Sequence, residues 1–502
     1  MSLLHITEGS SEEIITDPAD PTNLTLTKRV RAGLGWIISS TLIGELVRFA
    51  RSLVLARLLL PEDFGLFGMA LTIVAALNAL TTLGLDQTIV ATKFANRDEL
   101  KINLDTVWST ELIRSLIITI LVVASAFPIA RFYGQPGLLP IIPVLGLTVL
   151  IQGFQNIGLA LLRKEISFAR IFWYELVTNV AGIVVTVALA VVWRNVWALV
   201  LSLVVTNLLG TVLSYVFHSY RPRFAFEKTA LTRVLHIGKF VLVIAVASYI
   251  TTMADNIMVG RLLGTGALGN YSLAYNIASA PVAVLVYALS RVLFPAYAEI
   301  TADHPKRLEQ AFTKVFTVSA FILLTITVPL LLLGRELVQL FFGTRWTSAG
   351  IVLSILALTI PLRGLTLIMS NVSVSLNRQR DLAPGRVVEA LVFLVLLYPL
   401  VRILGLTGAA WAVVIVYVLA CVNRVIALNK IIPGIWEKLI RVSFSGVTAA
   451  VAGWLVGSLA LNALSSPLPR LVLGGLLLSL IPALILLLIQ TELRRWLLEW
   501  FS

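Results

Sequence analysis

Charge is scarce in these 502 residues: Asp, Glu, Lys and Arg supply 13%, against roughly 25% in a soluble domain. The hydrophobic share is 58% and the mean hydropathy +0.94. A soluble protein would need polar helix faces, and here apolar runs of about 20 residues recur from end to end without them. Cysteine is nearly absent. The single Cys421 lies in an apolar run, which excludes a disulfide framework and a Cys/His metal pattern. No GxxxxGK[ST] phosphate loop occurs, and no connection could house a nucleotide domain, so an ATP-driven pump is disfavoured and no cofactor is expected. The stretch before Lys28 also lacks an apolar signal-peptide region. It is polar and acidic, with Glu8, Glu12, Glu13, Asp17 and Asp20, and reads as a cytoplasmic tail.

What is there is a polytopic, all-helical membrane protein. About fourteen apolar segments can be counted, the first two near 33–59 and 64–91, the last two within 437–491. The net charge of +13 could suggest nucleic acid, but its placement argues otherwise. With the N-terminus inside, most of the 39 Lys and Arg fall on inner loops and tails, and few fall outside (Arg57, Arg131, Arg194 and Arg261 among them). That asymmetry puts both termini in the cytoplasm. Nucleic acid is therefore not an expected partner; the bilayer is.

Self-comparison is the most informative step. ARLLLPEDFGLFGMA (56–70) aligns with GRLLGTGALGNYSLA (260–274), matching Arg57 with Arg261, Gly65 with Gly269 and Ala70 with Ala274. Further along, Phe132-Tyr-Gly resembles Phe341-Phe-Gly, Glu175 lines up with Glu389, and Trp197-Ala-Leu-Val with Trp411-Ala-Val-Val. The offset drifts only from about 204 to about 214 residues across six spans. An even number of spans per copy keeps both copies in one orientation. The expected plan is two six-helix repeats related by a pseudo-twofold along the membrane normal, plus two extra C-terminal helices, with the substrate path between the lobes. The domains are then a tail (1–32), an N-lobe (33–218), a cytoplasmic linker (219–236), a C-lobe (237–429), two further spans (437–491) and a C-terminal tail (492–502).

The phrases LARLLLPEDFGLFGMA and DNIMVGRLLGTGALGNYSLAY, with the 6+6+2 plan and short loops, resemble Wzx-type polysaccharide flippases. That superfamily also holds lipid II flippases and multidrug-and-toxin extrusion proteins. The resemblance covers nearly the whole chain from about residue 28. It implies transport of an undecaprenyl-diphosphate-linked oligosaccharide from the inner to the outer leaflet of a bacterial cytoplasmic membrane, by alternating access and without covalent chemistry. Lipopolysaccharide, capsule or exopolysaccharide synthesis would consume the product, and polysaccharide polymerase machinery is a further expected partner.

Charges inside the spans are the candidate site, because each costs about 2.5 to 3.5 kcal/mol at mid-membrane unless it faces protein or water. The arginines are Arg48, Arg51, Arg114, Arg291 and Arg363; the acids include Glu45, Asp86, Glu111, Glu175, Asp255 and Glu389. Glu45, Arg48 and Arg51 recur every third residue and share one helix face, which should look into a cavity. An arginine fork suits a diphosphate, so this is a candidate cationic head-group site, as in the lipid II branch that the chain resembles. The alternative is that Glu45/Arg48 and Glu111/Arg114 neutralise each other as i,i+3 pairs. At the repeat offset Arg51 overlays Asp255, and Asp86 falls within one position of the place that matches Arg291. Two latches are therefore expected: Arg51–Asp255 closing the outer side and Asp86–Arg291 the inner. The alternative is that each residue caps its own lobe.

Two rival functions remain on sequence grounds. A cation-coupled multidrug exporter would share the plan but favour an acid-centred first span. A membrane-embedded glycosyltransferase could use Glu62-Asp63 in the first outer loop, although that pair is more simply a helix start beside Pro61.

Overall fold

The computed structural model describes residues 44–81, 96–164, 168–287, 305–376 and 378–462 and a few isolated positions, with residue 46 and many side chains of 228–248 excepted. Among the described residues there is no strand, and eight helices are long and apolar enough to cross a bilayer, or nine if one bent pair is a single span. The expected final span (470–491) and both tails lie outside the described residues.

The helices, after a helical segment at 47–58, are α1 (Pro61–Thr81), α2 (Arg97–Tyr133), α3 (Leu138–Gly153), α4 (Gly158–Lys164), α5 (Phe168–Trp193) and α6 (Val196–Phe217). After a connection follow α7 (Lys228–Val282), α8 (Pro305–Phe342), α9 (Thr347–Ala357), α10 (Thr359–Ser375), α11 (Ala383–Leu404), α12 (Leu406–Asn429) and α13 (Ile435–Asn462). Local chemistry sets their ends. Asn96 accepts the Glu99 amide at 2.8 Å and starts α2, and left-handed Gly134 (φ 65) stops it. Asn195 does the same for α6 through the Trp197 amide. α7 is two helices broken at Gly264, whose φ of 86 and ψ of −175 suit only glycine. Pro281 precedes a π-helical turn at Ala283–Tyr287, and Pro128, Pro329 and Pro399 lie within helices that continue past them.

The connection between α6 and α7 is extended only to residue 227; helix begins at Lys228, so the expected linker (219–236) is helical over its second half. Its extended part is strapped to α2. Asp105 accepts from the Tyr220 hydroxyl (2.6 Å) and the Arg223 amide (2.8 Å), while Ser109 and Thr106 accept from the amides of Ala225 and Glu227. Each lost strand partner is replaced by a helix side chain, as buried backbone requires. Burial and the neighbouring Asp105 push the Tyr220 hydroxyl well above its usual pKa, so it stays a donor.

The buried apolar clusters show how the chain's two halves meet. One cluster joins them, running from Ala56, Met69 and Val122 to Val259, Tyr271, Phe342, Trp346 and Ala409. A second draws only on the later half (Val282 to Leu439), and a third only on the earlier half, around Ile89, Leu104 and Ile157. The halves are thus fastened at the end that carries the 60–61 turn and the Gly264 break. Among the described residues no buried apolar cluster joins them at the other end.

Candidate functional site

At the fastened end the contacts are reciprocal. Arg57 reaches into the later half, where Nε donates to the Phe341 carbonyl (2.8 Å) and Nη2 to that of Leu340 (2.6 Å). Arg261 reaches the other way and lays its guanidinium over the Phe132 ring, 5.4 Å from the centroid. Arg57 matches Arg261 in the aligned phrases, and Phe341 matches Phe132. A β-carbon on Gly65 would strike the carbonyl of Thr265, and one on Gly269 would strike that of Pro61. Pro61 and Thr265 also occupy matching places in the alignment, so each half presents its glycine to the other's turn. Trp346 completes the seam: Nε1–H donates to the Ala56 carbonyl (2.9 Å) and the ring meets Phe64 edge-on at 5.1 Å. Beside it Asp63 caps the Leu60 amide at 3.0 Å.

The first-span charges sit next to this seam. Phe49 packs edge-on against Phe341 and Phe342 of the opposite half, and Arg48 and Arg51 flank it in sequence. Arg48 pairs with Glu45 at 3.0 Å but leaves 63% of its side chain exposed. Arg51 is partly buried, and its buried Nε has no hydrogen-bond partner. An orphaned donor on a guanidinium is costly, and an anionic group is the partner it fits.

The expected Arg51–Asp255 pair is not formed. Asp255 is 3% exposed and turned into its own half, where it accepts the Tyr271 hydroxyl (2.7 Å) and the Asn256 amide (2.8 Å). The physical reason is local: Tyr271, on the next helix after the Gly264 break, offers a short hydrogen bond without taking a second charge out of water. The fastened end is closed instead by backbone approach and aromatic packing. Asp86 and Arg291 lie outside the described residues. Arg114 turns both arms onto Glu111 of its own helix, Nε to Oε2 at 2.8 Å, and reaches Thr81 Oγ1 at 3.2 Å. Arg363 donates to Ser279 Oγ (2.9 Å) and lies 5.8 Å from the Tyr275 ring centroid. The four described arginines are therefore not gathered into one cluster: Arg48 and Arg51 stand together beside the seam, while Arg114 and Arg363 serve their own neighbourhoods.

Sequence reasoning passed over Arg424. It is 4% exposed, holds Glu389 through Nη1 (2.9 Å) and Nη2 (3.3 Å), and donates Nε to Ser370. Asn423 adds a bond to the same carboxylate at 3.1 Å. An arginine late in an apolar segment looks like a flank charge, and only a partner on another helix reveals it as a buried one. Of the intramembrane amides, Asn156 holds the strap through the His218 and Tyr220 carbonyls, Gln155 donates to Tyr174, and Gln152 donates to Asn207 at 2.7 Å on an exposed surface.

Residues 54–351, more than half of the chain, match the family model described as polysaccharide biosynthesis protein. The chain belongs to that family. Among the relatives of this polysaccharide biosynthesis protein are the lipopolysaccharide biosynthesis protein WzxC of Escherichia coli (strain K12) and the succinoglycan biosynthesis transport protein ExoT of Rhizobium meliloti (strain 1021). Both are 28% identical over 335 residues, 66% of this chain; the matches span 67% and 66% of those proteins. Two solved structures share the fold. The lipid II flippase MurJ in an inward closed conformation matches with a TM-score of 0.73 at 15% identity, over 91% of this chain and all of MurJ. An inward-facing multidrug resistance transporter of the MATE family matches with a TM-score of 0.58 at 20% identity, over 77% of this chain and 94% of its own. The polysaccharide biosynthesis protein is thus a multi-pass, all-helical membrane protein with a transporter fold.

Proposed function

We propose that this protein moves undecaprenyl-diphosphate-linked oligosaccharide from the inner to the outer leaflet of a bacterial cytoplasmic membrane by alternating access, for polysaccharide synthesis. The observation that carries the reading is the reciprocal seam: two halves clasp each other through sequence-equivalent residues at one end and, among the described residues, share no such cluster at the other. A carrier between leaflets needs two bodies that rock about a central site. The names of the relatives, one a transport protein and both in polysaccharide synthesis, supply the cargo class. In this reading the halves are six-helix repeats with two added C-terminal helices, both termini are cytoplasmic, and the seam is the outer gate, shut. Arg48 and Arg51 then receive the diphosphate beside the gate, where the orphaned Arg51 Nε has its acceptor. A polymerase on the outer side would take the product.

The gate reading has a direct test. The Glu62 carboxylate lies 3.0 Å from where a β-carbon on Gly266 would stand, so Glu62→Cys with Gly266→Cys should form a disulfide across the seam in a Cys421→Ser background. Oxidation should stop export of lipid-linked glycan in a deletion strain, and reductant should restore it. Undiminished export by fully cross-linked protein would sink alternating access at this gate. Drug sensitivity of the deletion strain, with no build-up of lipid-linked glycan, would transfer the protein to the exporters.

A further inference from the structure

α5 is exposed on two opposite faces, and their chemistry differs. At about 100° per residue, Trp173, Val177, Val180, Val184 and Val191 fall within about 60° of one another. All five are exposed, and together they make the lipid side of the helix. Glu175 and Asn179 are exposed too, yet they sit about 130° to 170° round the helix from that face. A carboxylate turned to hydrocarbon would be costly, and this one stands on the side of α5 opposite its exposed apolar face. Tyr174 ties the same level to α6 and to the turn that follows α3: its hydroxyl accepts from Gln155 and donates to the Gly210 carbonyl. One turn from Gln155, Gln152 bonds Asn207 on an exposed surface, about 140° round α3 from exposed Leu139 and Leu147.

The repeat sharpens this. The offset that carries Glu175 onto Glu389 carries Gly210 onto Arg424. In the later half that arginine neutralises the acid. In the earlier half a glycine stands in its place, and Glu175 keeps an exposed carboxylate with no ion pair among the described residues.

We propose that Glu175 and Asn179, flanked by the Gln152–Asn207 amide pair, form a hydroxyl-binding face for the carbohydrate part of the cargo. The proposal rests on the flippase reading above. A carboxylate accepts from neighbouring sugar hydroxyls, and amides both donate to and accept from them. A site built on such groups discriminates against a ligand that leaves them unpaired. The face is distinct from Arg48 and Arg51: those hold charge common to every lipid diphosphate, whereas this one reads the glycan.

The test uses full-length protein in proteoliposomes and two probes. One is the lipid-linked oligosaccharide accumulated by a strain lacking the transporter; the other is the same lipid diphosphate carrying its first sugar only. Glu175→Ala and Asn179→Ala should slow the full glycan about tenfold, the loss of a hydrogen bond to a charged or amide group, and leave the one-sugar lipid unchanged. Glu175→Gln should recover part of the rate. Thermal unfolding of all three should match wild type, since no internal bond is lost. Equal slowing of both probes would overturn the proposal in favour of a head-group or structural role, and so would no slowing of either. Wild type that moves neither probe would overturn the flippase reading itself, and this proposal with it.

Discussion

The two halves carry the same acid at the same place and treat it oppositely. In the later half Glu389 is buried and held by Arg424 and Asn423, and Arg424 in turn donates to Ser370 on a third helix. In the earlier half Glu175 is exposed, opposite the exposed apolar face of its helix, with Gly210 where the arginine would be. The seam repeats the contrast in milder form: Arg57 donates to two carbonyls, whereas its counterpart Arg261 has the face of one ring. The later half is braced at this acid, and the earlier half leaves its acid open. A buried ion pair fixes geometry and costs desolvation, while an open carboxylate stays free for something that arrives.

The largest effect should come from breaking the brace. Arg424→Ala leaves Glu389 buried without its cation, and about 3–5 kcal/mol of stability should be lost. Thermal unfolding in nanodiscs would show it; Glu175→Ala, its counterpart, should shift unfolding little. If the two substitutions destabilise equally, the contrast between the halves fails.

Next in size is the seam itself. Gly65→Ala or Gly269→Ala puts a methyl group against a carbonyl of the opposite half, an overpacking worth about 1–3 kcal/mol. Either should lower the yield of the Glu62→Cys/Gly266→Cys disulfide, and the two should do so alike if the contact is reciprocal. The two arginines should differ. Arg57→Ala removes hydrogen bonds from a charged donor, about 1.5–3 kcal/mol, and Arg261→Ala a cation–π contact of about 0.5–1 kcal/mol. Measured by the same disulfide yield, Arg57→Ala should loosen the seam more.

The smallest effect on stability belongs to Arg48→Ala. Its pair with Glu45 is largely exposed on the arginine side, and such pairs contribute about 0–1 kcal/mol. Unfolding should barely move while export falls sharply. A loss of stability that matches the loss of export would make the residue structural.

Much of this was readable in the chain. Hydropathy marked the membrane class, because a helix in lipid must be apolar along its length and no periodic signal is needed to see it. The aligned phrases marked the seam: Arg57/Arg261, Gly65/Gly269 and Phe132/Phe341 all lie in it. Charge spacing named the pairs Glu45–Arg48 and Glu111–Arg114, since residues three apart share a helix face. Pairing across helices was not readable. Arg51 and Asp255 match in the repeat, yet Tyr271 takes the carboxylate, and Glu389 was visible without its Arg424. Which of several polar side chains is nearest depends on helix rotation, and the sequence of a leucine-rich helix constrains rotation weakly.

The sequence by itself thus determined the membrane class, the matching phrases and the residue types available along each apolar run, because these follow from transfer energies and one-dimensional order. Only the tertiary structure decided at which end the described residues fasten the two halves and which charges are neutralised. It also decided which acid was left exposed. Those depend on how two similar bundles pack against each other, and a glycine in place of an arginine changes that outcome without changing the pattern that made the bundles.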